Sequence, residues 1–178
     1  TATYWRALDA PFIFDDLFGI RDNPNVLSLW PLSQAMTAPQ DTPSFGRPVV
    51  AFSLAVNHAI NGLSPRGYHI FNLFVHVLNG GLVYALLCMT LRDLRPPLAV
   101  MITLMWLLHP VQTECIAYAS QRTELLFGMC LFLTLIAFAR NRYIWAAIAC
   151  AAGMATKETM AAVPLLVLFY DRTFISGT

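Results

Sequence analysis

Two adjacent carboxylates, Asp15 and Asp16, close the apolar run Phe12-Ile13-Phe14. Like charges side by side in an apolar setting make a carboxylate a better proton acceptor, which suits a general base. The same pair could instead cap a short helix. Arg47 stands immediately before Pro48, where a guanidinium and the free N–H groups of a helix start together suit an anion. A third group, His109, Glu114, Arg122 and Glu124, falls within one short polar stretch. A fourth is the neighbouring pair Lys157-Glu158, and His69 lies on a polar row described below. Acids beside cations are what a site needs to take a proton from a hydroxyl and to stabilise a leaving phosphate. The bland readings are a Glu114–Arg122 ion pair, a helix-end role for His109, and an internal Lys157–Glu158 pair. His109-Pro110-Val111-Gln112-Thr113-Glu114 lacks the spacing of a zinc helix, so no metal site is expected. A divalent cation held by Glu114 with the aspartates remains an optional addition rather than a requirement.

These groups must be positioned by helices in a bilayer. Hydrophobic residues make up 57% of the 178, charged residues only 12%, and the mean hydropathy is +0.58. The apolar residues come in blocks, without the alternation of a barrel strand. The expected fold is all-α, a polytopic membrane helix bundle. A net charge of +1 with no basic run argues against nucleic acid as a partner. The four cysteines, Cys88, Cys115, Cys130 and Cys150, have neither metal-site nor disulfide-framework spacing and read as small buried hydrophobes.

Residues 1–64 are rich in proline, acids and turn-forming groups and read as an outer loop lying against the membrane surface. Within it, Pro48 can start a helix over 48–61, with Ser53, Asn57 and Asn61 in one row opposite Val49, Phe52, Val56 and Ile60, the pattern of an interfacial helix. Ser64-Pro65 predicts a second helix start, running to about 91, roughly 40 Å at 1.5 Å per residue. On it His69, Asn72, His76 and Asn79 share one face, which should look into the bundle. Further transmembrane helices are expected at about 97–109 (continuing or broken to 119), 121–139, 143–155 and 158–170. Each is short for a hydrocarbon core of roughly 30 Å, so the polar stretches between them should sink toward the membrane. Arg92, Arg95, Arg140, Arg142 and Arg172 fall in alternate loops and mark the cytoplasmic side. Residues 1–64, 109–124 and 156–158 then share the opposite side, where nearly every unusual polar residue lies.

The order Phe14-Asp15-Asp16, Phe45-Gly46-Arg47-Pro48-Val49-Val50, Gly67-Tyr68-His69, His109 to Glu114, Gln121-Arg122-Thr123-Glu124, Lys157-Glu158 and Tyr170-Asp171 resembles the membrane part of the TMTC-type proteins. These are transmembrane and tetratricopeptide-repeat O-mannosyltransferases with bacterial relatives of the same layout, and the resemblance covers essentially the whole chain. It implies a GT-C glycosyltransferase fold, with a first helix before residue 1 and later helices and repeats beyond 178. It also implies a polyprenyl (dolichyl or undecaprenyl) phosphate sugar as donor, a Ser/Thr hydroxyl of an acceptor protein, and inversion at the sugar. In such families an acid of the first outer loop is catalytic, and Asp15-Asp16 matches that place. Which of the two acts stays open, with Asp16 the first choice. Arg47, His69, His109, Glu114, Arg122, Glu124, Lys157 and Glu158 are the expected donor-binding residues. The implied location is a bacterial inner membrane with a periplasmic site, or the endoplasmic reticulum membrane with a lumenal site. Two competing readings keep less of this: the same fold acting on a lipid or glycan acceptor, or a polyprenyl-lipid-binding or transport protein without enzymatic activity.

Overall fold

A computed structural model describes residues 2–91 and 93–177; Arg92, counted above among the loop arginines, lies outside the described residues. Among these residues all regular structure is helical. A short helix α1 (Leu32–Ala35) lies in the outer loop, followed by α2 (Pro48–Asn61) and α3 (Pro65–Thr90). Proline occupies the first turn of both longer helices, where its missing N–H has no helical partner to lose. Gly62, at φ 58°, ends α2 in a conformation that costs other residues, and lets the chain turn into α3 within three residues. The chain continues through α4 (Pro96–Leu107), α5 (Thr113–Ala117), α6 (Arg122–Ala139), α7 (Tyr143–Met154) and α8 (Val163–Tyr170).

Two helical stretches are long and apolar enough to cross a membrane: α3, and Ala119–Ala139, which is α6 with the 3-10 turn before it. A third span exists if α4 and the bent segment Pro110–Ala117 are taken together across their 51° break. The sequence suggested two more spans, but α7 has 12 residues and α8 has 8, about 18 and 12 Å of helix. Thr156-Lys157 interrupts the helical run between them, and the backbone there tightens into a 3-10 turn over Glu158–Ala162.

The bundle is organised on α3, against which α2, α4, α5 and α6 pack, with α7 along α6. The buried face of α3 carries Tyr68, His69, Asn72, Val75, His76, Asn79 and Gly80. The polar row therefore looks inward, as its spacing predicts. Gly80 lets α4 come close: a Cβ there would meet the Leu107 side chain at 2.6–2.8 Å. Gly80→Val should cost about 1–3 kcal/mol through overpacking, read as a lowered unfolding temperature in detergent. On α2 the polar row divides: Asn57 is 4% exposed and points into the bundle beside Val50 and Leu54, while Asn61 is exposed, and Ile60 of the apolar row is 74% exposed. Cys88 is a correction, exposed where a buried side chain was expected; Cys130 alone of the four is buried.

The two ends of the bundle differ. At one, a cavity of about 980 Å³ is lined by Cys88–Leu91, Asp93, Leu94, Ala139, Asn141, Tyr170, Phe174 and Ile175, with Thr90 Oγ1 2.7 Å from Tyr170 Oη. The other end gathers the outer loop, the 109–121 segment and Thr156–Glu158. There the Val49 N–H donates to the Ala155 carbonyl at 3.2 Å, joining the start of α2 to the end of α7.

Candidate functional site

The outer loop reaches the bundle through Asp16. Its carboxylate is fully buried and accepts the backbone N–H groups of Ser120 at 2.7 Å and Ala119 at 3.2 Å. Those N–H groups belong to the 3-10 turn that opens α6, where the unsatisfied donors of a helix start favour an acid. Both carboxylate oxygens are thereby occupied. Asp15, one residue earlier, is exposed, and no hydrogen bond or ion pair engages it among the described residues. The preceding residue, Phe14, holds φ 47° and sets its ring 6.5 Å from that of Tyr118. A non-glycine residue in the left-handed region is a local cost that the surrounding contacts must sustain. The structure thus sets the two acids in different surroundings, the first choice, Asp16, inside and Asp15 outside. Asp16 ties the outer loop to the start of α6, and Asp15 stays exposed.

Glu124 lies one helical turn beyond Ser120, on the same side of α6. It accepts from Lys157 Nζ at 2.5 Å, and that ammonium also lies 5.9 Å from the centre of the Phe127 ring. Next to Lys157, Glu158 meets Arg47 at 3.3 Å, and Arg47 donates a second bond to the Pro43 carbonyl at 2.9 Å. The sequence-adjacent Lys157–Glu158 pair is thus split between two partners. Lys157 reaches α6 and Glu158 reaches the residue before α2. Both cations keep some exposure, at 24% for Lys157 and 23% for Arg47.

Arg122 is elsewhere. It is fully buried, and its Nε donates to Asn72 Oδ1 at 3.0 Å. Its two terminal nitrogens donate to the Ser53 carbonyl at 3.0 Å and to Asn57 Oδ1 at 2.6 Å, with the Tyr68 carbonyl at 3.5 Å. The Phe71 ring lies 4.2 Å from the guanidinium carbon. The expected Glu114–Arg122 pair does not form: Glu114 is exposed, and Arg122 braces α2, α3 and α6 from inside. So enclosed, the guanidinium offers no exposed surface in this arrangement. His69 is likewise fully buried, with Nδ1 2.8 Å from the Ile116 carbonyl and Nε2 3.1 Å from that of Ala10. Both ring nitrogens thus face backbone carbonyls inside the bundle. His109 is exposed and caps the turn after α4, its Nδ1 accepting the Val111 N–H at 3.2 Å.

Asn72 completes the interior. Its amide donates to the carbonyls of Cys115 and Tyr118, both at 3.2 Å, so the segment that offers N–H groups to Asp16 is held from behind as well. Ser53, Asn57, Asn72 and the Ala119-Ser120 backbone were not among the expected site residues. The two polar rows on α2 and α3 were the available signal, and Arg122 is what joins them. Among the described residues no group of three or more His, Cys, Asp or Glu side chains could hold a metal ion. Outside the membrane, the Arg21 guanidinium, at 2.8 Å, holds the Asp22 carboxyl below its ordinary range; both are exposed.

The fold and its apolar helices define an α-helical membrane module with the Arg47–Glu158 and Glu124–Lys157 pairs and the Asp15-Asp16 acids at one end. By sequence it is similar to the TMTC-type protein O-mannosyl-transferases, as its motif order suggests. The chain is 26% identical to human protein O-mannosyl-transferase TMTC3 over 163 residues, covering 84% of this chain and 17% of the relative. It is 30% identical to Drosophila melanogaster protein O-mannosyl-transferase Tmtc1 over 146 residues, 78% of this chain and 17% of that protein. Caenorhabditis elegans protein O-mannosyl-transferase F38B6.6 is 29% identical over 151 residues, 79% and 22% respectively. The chain thus spans about a fifth of the length of the curated relatives it matches. No family model and no solved structure matches it.

Proposed function

We propose that this chain is the acid-bearing part of a membrane glycosyltransferase that moves a sugar, mannose or another hexose, from a polyprenyl phosphate to a Ser or Thr hydroxyl. The observation that carries the reading is the division of labour in Asp15-Asp16: one carboxylate locked onto the start of α6, its neighbour exposed and unengaged. The printed names of the relatives support transfer of mannose to protein. In the reaction, the acceptor oxygen forms a bond to the anomeric carbon as the bond from that carbon to the phosphate oxygen breaks. The hydroxyl proton passes to Asp15, and the electron pair leaves with the polyprenyl phosphate. Attack opposite the leaving phosphate inverts the sugar. Lys157 and Arg47, the two partly exposed cations beside α6 and α2, are placed to meet the phosphate charge as it develops. The site faces the non-cytoplasmic side, the periplasm or the lumen of the endoplasmic reticulum.

The test is transfer by the full-length protein in liposomes carrying a polyprenyl-phosphate mannose, with a Ser/Thr peptide read by mass spectrometry. Mannose on the peptide with inverted configuration is the expected product. Mannose on a lipid or glycan acceptor alone would overturn the choice of acceptor, and donor binding without any product would overturn the enzyme. Lys157→Met should raise the donor KM roughly 10- to 150-fold, the equivalent of one hydrogen bond to a charged group at 1.5–3 kcal/mol. An unchanged donor KM would make the Glu124–Lys157 pair purely structural.

A further inference from the structure

The segment that carries Asp15 is fastened at both ends to buried groups. At Asp16 the fastening is the pair of N–H groups from Ala119 and Ser120. At Ala10 it is His69, whose Nε2 lies 3.1 Å from the Ala10 carbonyl while Nδ1 lies 2.8 Å from that of Ile116. Both oxygens accept, so the ring joins the first outer loop to the 113–117 helix through the wall of α3 by donating from both nitrogens, which requires a proton on each. Between the two fastenings Phe12 packs edge-on against Tyr68 at 5.3 Å, and the turn closes with the Asp16 N–H on the Ile13 carbonyl and the Leu17 N–H on that of Phe14, both at 3.0 Å. A side chain that only filled the core would need neither carbonyl. A ring of this size spends two polar atoms in a buried site only where the backbone supplies partners, and here those partners are two separate loops.

We propose that His69 is a positioning residue: it fixes the Ala10 end of the loop so that the Asp15 carboxylate stands where the acceptor hydroxyl arrives. The proposal rests on the reading of Asp15 as the base. It gives His69 a duty in the transfer without contact to sugar, phosphate or acceptor. Displacing a reacting group by about 1 Å can cost a hundredfold in rate, so slack at Ala10 should appear in kcat rather than in substrate binding.

Two isosteres separate the ring's two contacts. The amide of His69→Gln can reach the place of Nε2 and keep Ala10. That of His69→Asn can reach only the place of Nδ1 and keeps Ile116. In the full-length protein, H69N is expected to lower kcat about 10- to 100-fold with KM for donor and acceptor within about twofold of wild type. H69Q should stay within about threefold in kcat. Hydrogen exchange across residues 11–17 supplies a readout independent of transfer: about tenfold faster in H69N, near wild type in H69Q. A glycine inserted between Pro11 and Phe12 leaves both fastenings and the interior intact, and should reproduce the kcat loss even if H69N does not fold. Equal behaviour of H69N and H69Q in exchange and kcat, or full kcat in the insertion variant, would overturn the proposal. Wild-type kcat in Asp15→Asn would instead remove the base assignment, and the exchange contrast would still decide whether His69 holds the loop.

Discussion

Replacing Asp15 by Asn is expected to lower sugar transfer by the full-length protein roughly 10²- to 10⁴-fold, the usual contribution of a positioned general base. The same change should leave thermal stability within about 0.5 kcal/mol of wild type, as for an exposed side chain that holds nothing. Its neighbour should behave in the opposite order. Asp16→Asn keeps the shape but removes the charge that two buried N–H groups bind, and it turns one acceptor into a donor facing a donor. That should cost about 1–3 kcal/mol, visible as a lower unfolding temperature and as looser packing of the outer loop on α6. Activity measured only as a rate would merge the two effects. The pair of measurements on both variants separates them, since a base is lost without unfolding and an anchor is lost with it. If D15N retained wild-type kcat while D16N, still folded, lost it, the roles would be reversed and the buried carboxylate would have to open during turnover.

The helix starts were written plainly in the chain. Pro48 and Pro65 each open a helix, because proline fixes φ where the first N–H groups have no helical partner anyway, and Pro96 does the same one residue before the expected start. The inward row on α3 was equally legible, since polar groups three and four residues apart in an apolar helix have nowhere cheaper to go. What the sequence did not disclose was pairing across the chain. Arg122 lies closer in sequence to Glu114 than to Asn57 or Ser53, and opposite charges invite pairing. The structure satisfies the guanidinium with neutral oxygens instead, which needs no second buried charge. The same limit hid Asp16, whose partners are backbone N–H groups more than a hundred residues away and carry no mark in residue type. Lys157 and Glu158 were legible as charged but not as divided, because a turn of backbone separates their directions. Periodicity reads a face well; it cannot say what stands opposite.

Arg122 carries the largest expected effect on stability. From the start of α6 its guanidinium gives four hydrogen bonds to two other segments, α2 through Ser53 and Asn57 and α3 through Asn72 and Tyr68. Arg122→Met fills much of the volume but strands the buried Asn57 Oδ1 and leaves Asn72 Oδ1 unpaired beside it, while the Ser53 carbonyl keeps its place in the α2 ladder. Removing one member of a buried charged network costs about 3–5 kcal/mol, most of it the desolvation of the groups left behind. Burial of a cation that hydrogen-bonds to no carboxylate is itself expensive, and the buried Asp16 carboxylate nearby offsets part of that cost. The Phe71 ring at 4.2 Å recovers part of that cost as a cation–π contact. Arg122→Lys keeps the charge and gives up the fork, and should fall between wild type and R122M. The distinguishing measurement is a cycle with Asn57→Leu. If the brace is a network, R122M and N57L together should cost less than the sum of each alone, because each single change orphans the other's partner. Strict additivity, or an R122M protein as stable as wild type, would mean that the bundle is held by its apolar packing and that Arg122 is merely accommodated. Loss of donor affinity in R122M at unchanged stability would restore the phosphate-binding role that its burial argues against.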